Sequence, residues 1–168
     1  MIIRHEAPTD MAAIRFVNEQ AFGGSGEANA IDALRARGAA TLSLVAVISG
    51  QVVGHIFFSP ATIQGPDRSW VALGLAPLSV LPDYQRQGIG TALMNAGLEE
   101  CRQLGHERVV VLGHPNYYPR FGFVTAKPRG IDNEYNAPEE AFMILELQPG
   151  AFAEVTGVAQ YQPEWNGV

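Results

Sequence analysis

Apolar residues recur along the chain with two periods, and the switches between them mark the elements. Ile2-Ile3-Arg4 reads as a short strand. Thr9-Asp10 then stands where a helix cap belongs, ahead of Ile14, Val17 and Ala21 at helical spacing. Gly23-Gly24-Ser25-Gly26 breaks that helix, and residues 27–37 form a second one, stopped by Gly38. Residues 42–48 and 51–59 read as a hairpin around Ser49-Gly50. After a turn at Gly65-Pro66-Asp67-Arg68, residues 70–80 read as a central strand. Pro77 forfeits one ladder bond there, so the strand is expected to open away from its neighbour at that point.

A third helix over 88–104 places Leu93, Gly97, Cys101 and Leu104 on one face, and Gly105 ends it. Residues 109–112 are continuously apolar, as a strand covered on both faces is. A helical turn over 116–120 follows, and 142–147 reads as the last strand. Residues 148–168 read as a loose extension whose Phe152, Tyr161 and Trp165 have three options: packing on the domain, covering a substrate site or meeting a second subunit. The expected organisation is one domain over 1–147, with 148–168 as a C-terminal extension of the same domain.

Composition narrows the function classes. A chain of 168 residues with 47% apolar content buries a real core. Its net charge of −6, with no Lys/Arg cluster, argues against nucleic acid and bilayers as partners. The single cysteine, Cys101, excludes an internal disulfide, and residues 1–10 are too polar for a signal peptide, so the cytoplasm is expected. The histidines at 5, 55, 106 and 114 lack metal-ligand spacing, and no metal is expected. Cys101 reads as a small core residue, with no basic pair to make a thiolate.

The densest chemistry lies in Gln85-Arg86-Gln87-Gly88-Ile89-Gly90-Thr91-Ala92, a glycine-bearing turn just before a helix. Two glycines there let the backbone approach a ligand and aim unpaired N–H groups at it, which suits a pyrophosphate. A nucleoside-triphosphate loop needs a Lys-Ser/Thr pair after its glycines, and Thr91-Ala92 lacks the lysine. The dinucleotide fingerprint needs Gly or Ala where Leu93 stands, and a turn that leaves its strand at once.

The string LSVLPDYQRQGIGTALM, with Gln85, Gly88 and Gly90 in the key places, resembles the acetyl-CoA-binding motif of the GNAT N-acetyltransferases. Tyr117-Tyr118-Pro119-Arg120-Phe121-Gly122-Phe123 is similar to that family's Tyr-x-x-x-Gly-Phe block. The resemblance covers roughly residues 45–147, and GHPNYYPRFGF and EEAFMILELQPG are similar to its bacterial YhbS-type branch. It implies a single-domain mixed α/β fold. The central sheet is mostly antiparallel with one splayed parallel strand pair, and helices flank it. It implies acetyl-CoA as co-substrate and acetyl transfer to a primary amine of a small molecule or peptide in a ternary complex.

In that family the backbone at positions matching Leu78, Ser79 and Val80 binds pantetheine, where strands 70–80 and 109–112 part. The N–H groups of Gln85, Arg86, Gln87, Gly88, Ile89, Gly90, Thr91 and Ala92 would hold the pyrophosphate. Asn116 approximates the family's usual asparagine, at a shorter spacing from the tyrosine block. Tyr118, four residues before Gly122, matches the proton donor to the departing thiolate, with Tyr117 as fallback; the alternative is that Tyr118 only packs under the donor.

A lysine-like amine is neutral in only about one part in 2,500 at pH 7, a deficit of roughly 4.6 kcal/mol, so a base or a water held by one would help. Glu27 and His55 are the candidates. Glu27 also suits the helix dipole, and His55 on an apolar strand also suits a satisfied core histidine. The strand 70–80 carries no carboxylate, so a water relay is preferred to a single base. The acidic stretch 131–135 could attract a cationic acceptor. A non-catalytic acyl-CoA-binding module and an assembly module docking through the aromatic tail are the alternatives from other classes, and a homodimer is among the candidate assemblies.

Overall fold

The computed structural model describes residues 1–168. Its strands are β1 (Ile2–His5), β2 (Leu42–Ile48), β3 (Gln51–Gln64), β4 (Ser69–Val80), β5 (Arg108–Leu112), β6 (Val124–Thr125), β7 (Ile131–Asn133), β8 (Phe142–Glu146) and β9 (Gly157–Gln160). The helices are α1 (Met11–Phe22), α2 (Gly26–Ala36) and α3 (Ile89–Gln103), with short 3-10 turns between elements. The sheet is mixed: β4·β5 and β7·β9 are parallel, whereas β1·β2, β2·β3, β3·β9, β5·β8 and β6·β8 are antiparallel.

Two compact units share the chain, and β3, β4 and α3 each run through both. The first comprises residues 1–59, 76–99 and 163–168. In it β1, β2 and the first half of β3 form an antiparallel ladder from Ile2↔Val47 to Leu42↔Phe58. Ile14 and Val17 of α1, Ile31 and Leu34 of α2, and Met94 and Leu98 of α3 are all buried, the i, i+3 and i, i+4 stripes that amphipathic helices turn inward. Trp165 returns to this unit, buried, with its indole N–H on Ser59 Oγ at 3.4 Å.

The second unit comprises residues 60–75 and 100–162. Its core joins Ala61, Ile63, Ala72, Val110, Phe142 and Ile144 with Phe152 and Ala159 from the C-terminal region. β4 pairs with β5 from Leu73↔Val109 to Leu75↔Val111, and the parallel register ends before Pro77, which has no N–H to give.

Three expectations need correction. β3 does not stop at residue 59 but runs to Gln64, because Thr62, Ile63 and Gln64 find partners in Gln160, Ala159 and Val158. For the same reason residues 148–168 are not a loose extension: β9 pairs with both β3 and β7, and Phe152 and Trp165 are core residues. Leu104 lies outside the inner face of α3, 61% exposed, since the helix ends at Gln103 and Met94 and Leu98 fill that face.

Candidate active site

In the first unit, β4 delivers Leu78, Ser79 and Val80 to a turn that the chain braces against itself. Leu81 N–H donates to Val53 C=O at 2.8 Å, and Pro82–Tyr84 forms a 3-10 turn. The side chains of Gln85 and Gln87 fold back onto Val80 C=O (3.0 Å) and Asp83 C=O (3.2 Å). These two side-chain bonds brace the turn from both sides. Arg86 (φ 62°) and Gly88 (φ 84°) take left-handed conformations. Glycine adopts that conformation without strain, and a Cβ on Gly88 would point into open space.

The first helical bond of α3 runs from Ala92 N–H to Gly88 C=O at 3.0 Å. The amides of Ile89, Gly90 and Thr91 therefore lie ahead of the intrahelical ladder, at the positive end of a helix of 15 residues. The exposed turn formed by Gln85, Arg86, Gln87 and Gly88 leads directly into them. Backbone amides so placed ahead of a helix, with open space at Gly88, have the chemistry to hold an anion such as a pyrophosphate. Gly54 on β3, which the sequence reading passed over, lets the start of α3 seat closely: a Cβ there would stand 3.0 Å from Leu93 Cδ1 and 3.1 Å from Ile89 Cγ2.

In the second unit, Tyr118 opens a 3-10 turn (Tyr118–Phe121) after β5 and is 9% exposed. Its ring meets Tyr117 edge-on at 5.1 Å and Phe123 at 5.7 Å. Burial, with Tyr117 adding to it, pushes the phenol up to about 12. The guanidinium of Arg120 lies over Tyr117, 4.7 Å from its ring centroid, which leaves Tyr118 as the inner member of the pair. Asn116 is exposed beside this turn, and His114 serves it through its carbonyl, which accepts Tyr117 N–H at 3.1 Å.

The two candidate bases separate clearly. Glu27 sits half-buried in the first turn of α2. His55 is fully buried in the first unit, and both of its ring nitrogens are engaged. Asn18 Nδ2 donates to Ile14 C=O (3.0 Å) and lies 3.2 Å from His55 Nδ1, so that nitrogen accepts. His55 Nε2 then carries the proton and donates to Ser43 Oγ at 2.8 Å, while the Ser43 hydroxyl donates to the Glu6 carboxylate. Arg35 closes the chain with two bonds of 2.9 Å to Glu6. Burial, with Arg35 adding to it, depresses His55 to about 3. A neutral imidazole with no free nitrogen is not a base for an incoming amine, so the expectation for His55 is corrected: it is a core hydrogen-bonding residue.

Sequence reasoning missed Asn18, Ser43 and Glu6 because they lie on α1, on β2 and just after β1, and converge only on folding. The acidic stretch 131–135 is largely spent internally. Asp132 pairs with Lys127 at 2.8 Å, and Glu134 Oε1 accepts Tyr161 N–H at 3.0 Å. No group of three or more His, Cys, Asp or Glu side chains is arranged to hold a metal ion. No helix is long and apolar enough to cross a membrane.

The Acetyltransferase (GNAT) family matches residues 9–123, more than half of the chain. The chain belongs to the GNAT family of acetyltransferases. This GNAT protein is 38% identical to the N-acetyltransferase YhbS of Escherichia coli strain K12 over 167 residues, 99% of each chain. A crystal structure of E. coli YhbS in complex with CoA superposes with a TM-score of 0.91 at 37% identity, covering 98% of this chain and 91% of that one. A GNAT acetyltransferase from Brucella melitensis in complex with acetyl-CoA gives 0.80 at 40% identity, over 98% and 97% of the two chains. The mixed sheet and flanking helices are those of the GNAT fold, and the protein is an acetyltransferase.

Proposed function

We propose that the protein transfers an acetyl group from acetyl-CoA directly to a primary amine of a small molecule or peptide, with donor and acceptor bound together. Acetyl-CoA supplies the acyl group as an activated thioester. The observation that carries this reading is the backbone cradle of the first unit, where Arg86 and Gly88 turn left-handed and the amides before Ala92 are left without helical partners. Residues 78–80 with that cradle stand in a chain 37% and 40% identical to proteins crystallised with CoA and acetyl-CoA, which supports the choice of donor.

In this reading the amides from Gln85 to Ala92 hold the pyrophosphate, and the backbone of Leu78, Ser79 and Val80 holds the pantetheine arm. Asn116 is assigned to the same arm on its place before the tyrosine block. Tyr118 gives its proton to the departing thiolate, and a phenol held near 12 keeps that proton in reserve at neutral pH. Glu27 is the remaining side chain assigned to deprotonating the amine through water. The cytoplasm is the compartment assigned to this chemistry.

The test is release of free CoA thiol from acetyl-CoA across a panel of primary amines, with acetyl-CoA affinity measured in parallel by calorimetry. Turnover on at least one amine is expected. Gly88→Glu is expected to abolish acetyl-CoA binding, by placing a like charge and a side chain where the phosphates sit. Acetyl-CoA binding without turnover on any amine would replace this reading by that of a non-catalytic acyl-CoA-binding module.

A further inference from the structure

We propose that Gly113, the first residue beyond β5, is the positioning residue that sets the phenol of Tyr118 for proton transfer. The proposal rests on the reading of Tyr118 as the proton donor. Gly113 is fixed by its own backbone, since its N–H donates to Ala141 C=O at 2.9 Å. A Cβ on it would overlap Tyr118 Cε2 and stand 3.2 Å from Cδ2 and 3.3 Å from Cζ. A methyl group at residue 113 and the Tyr118 ring therefore cannot share the space.

The ring has little freedom to yield. It is 9% exposed, with Tyr117 set edge-on at 89° on one contact and Phe123 at 74° on another. The bare backbone of Gly113 is thus one wall of the slot that holds Tyr118, and two aromatic rings bound it elsewhere. An aromatic side chain turns as a rigid plate about two torsions. Displacing its Cε2 edge therefore moves the hydroxyl, and a donor misplaced by about 1 Å costs on the order of 100-fold in rate. Gly113 touches neither donor nor acceptor in this account and acts only through the ring it seats.

The experiment is a double-mutant cycle of Gly113→Ala with Tyr118→Phe, read as kcat and as KM for acetyl-CoA. Gly113→Ala alone is expected to lower kcat by roughly 10- to 100-fold while leaving KM for acetyl-CoA within about 2-fold. Added to Tyr118→Phe, it is expected to cost almost nothing more. An equal loss of kcat in both backgrounds would overturn the proposal while leaving Tyr118 as donor. If Tyr118→Phe itself is harmless, the donor reading fails and the proposal falls with it.

Should Gly113→Ala fold poorly, the melting temperature of Gly113→Ala in a Tyr118→Leu background decides. Recovery relative to Gly113→Ala alone is expected, because the smaller, flexible side chain vacates the slot. No recovery would show that the methyl group clashes elsewhere, and would overturn the proposal.

Discussion

The ring of Tyr161 occupies the space that a side chain on Gly74 would need: a Cβ at residue 74 would come within 2.7 Å of Tyr161 Cε2. The Tyr161 hydroxyl donates to Val110 C=O at 3.1 Å, on the strand registered opposite Gly74. A residue from the C-terminal region therefore seats on β4 and β5 together. Gly74→Ala is expected to destabilise the protein by about 1–3 kcal/mol through overpacking. Thermal unfolding should show this loss, and Tyr161→Ala should remove most of the difference between Gly74 and Ala at that position.

Protonating His55 would break the chain of hydrogen bonds that it completes. Its folded-state value of about 3 lies below the ordinary histidine value, so between the two the unfolded chain binds the extra proton. The stability contributed by neutral His55 is complete above about pH 6.5 and drains away as pH falls toward 3, at up to about 1.4 kcal/mol per pH unit. Urea denaturation across that window should show the slope. His55→Gln, which keeps a polar group toward Ser43 and cannot titrate there, should be less stable at neutral pH and show a flatter profile.

Tyr118→Phe should lower kcat by about 10²- to 10⁴-fold, the usual contribution of a positioned proton donor. Acetyl-CoA affinity should change little, since only the hydroxyl is lost. In the wild type the rate should rise with pH as the acceptor amine becomes neutral. Deprotonation of Tyr118 should not cut that rise short below about pH 11, because burial holds its proton to about 12. Steady-state rates over pH 6–11 in both variants check this, the range being set roughly by the ordinary pKa of an alkyl amine.

Cys101 is fully buried on α3, and burial pushes its thiol up to about 12. Without thiolate or access it should resist a disulfide reagent in the native protein and react fully in denaturant. Its labelling rate then reports the opening of α3, and a fast native reaction would contradict this packing.

The elements that announce themselves in sequence are those whose partners are local or whose pattern is complete within them. α1, α2 and α3 carry their own period, β1, β2, β5 and β8 are short apolar runs bounded by turn residues, and the glycine-bearing turn before α3 is one contiguous string, so all of these are readable. β6, β7 and β9 span four residues or fewer and exist because a distant strand accepts them. No window of sequence around Ala159 states that it pairs with Ile63.

The same limit governed the side chains. The expectation for Tyr118 rests on a contiguous motif and its resemblance to the family block. The role of His55 depends on Asn18 and Ser43, which reach its ring only after α1 and β2 have packed on β3, and on Glu6, which holds Ser43 in turn. A histidine on an apolar strand is the same string of letters whether it faces water or a serine.

The aromatic C-terminal region sets the order in which this chain can finish folding. Trp165 bonds a serine 106 residues upstream, and Glu164 pairs with Arg37 across 127 residues. Closing loops of that span precedes any reward from the contacts they bring, so folding through them is slow. A nascent chain that has already made α1, α2 and the first hairpin still waits, its first unit unsealed, for residues synthesised more than a hundred positions later.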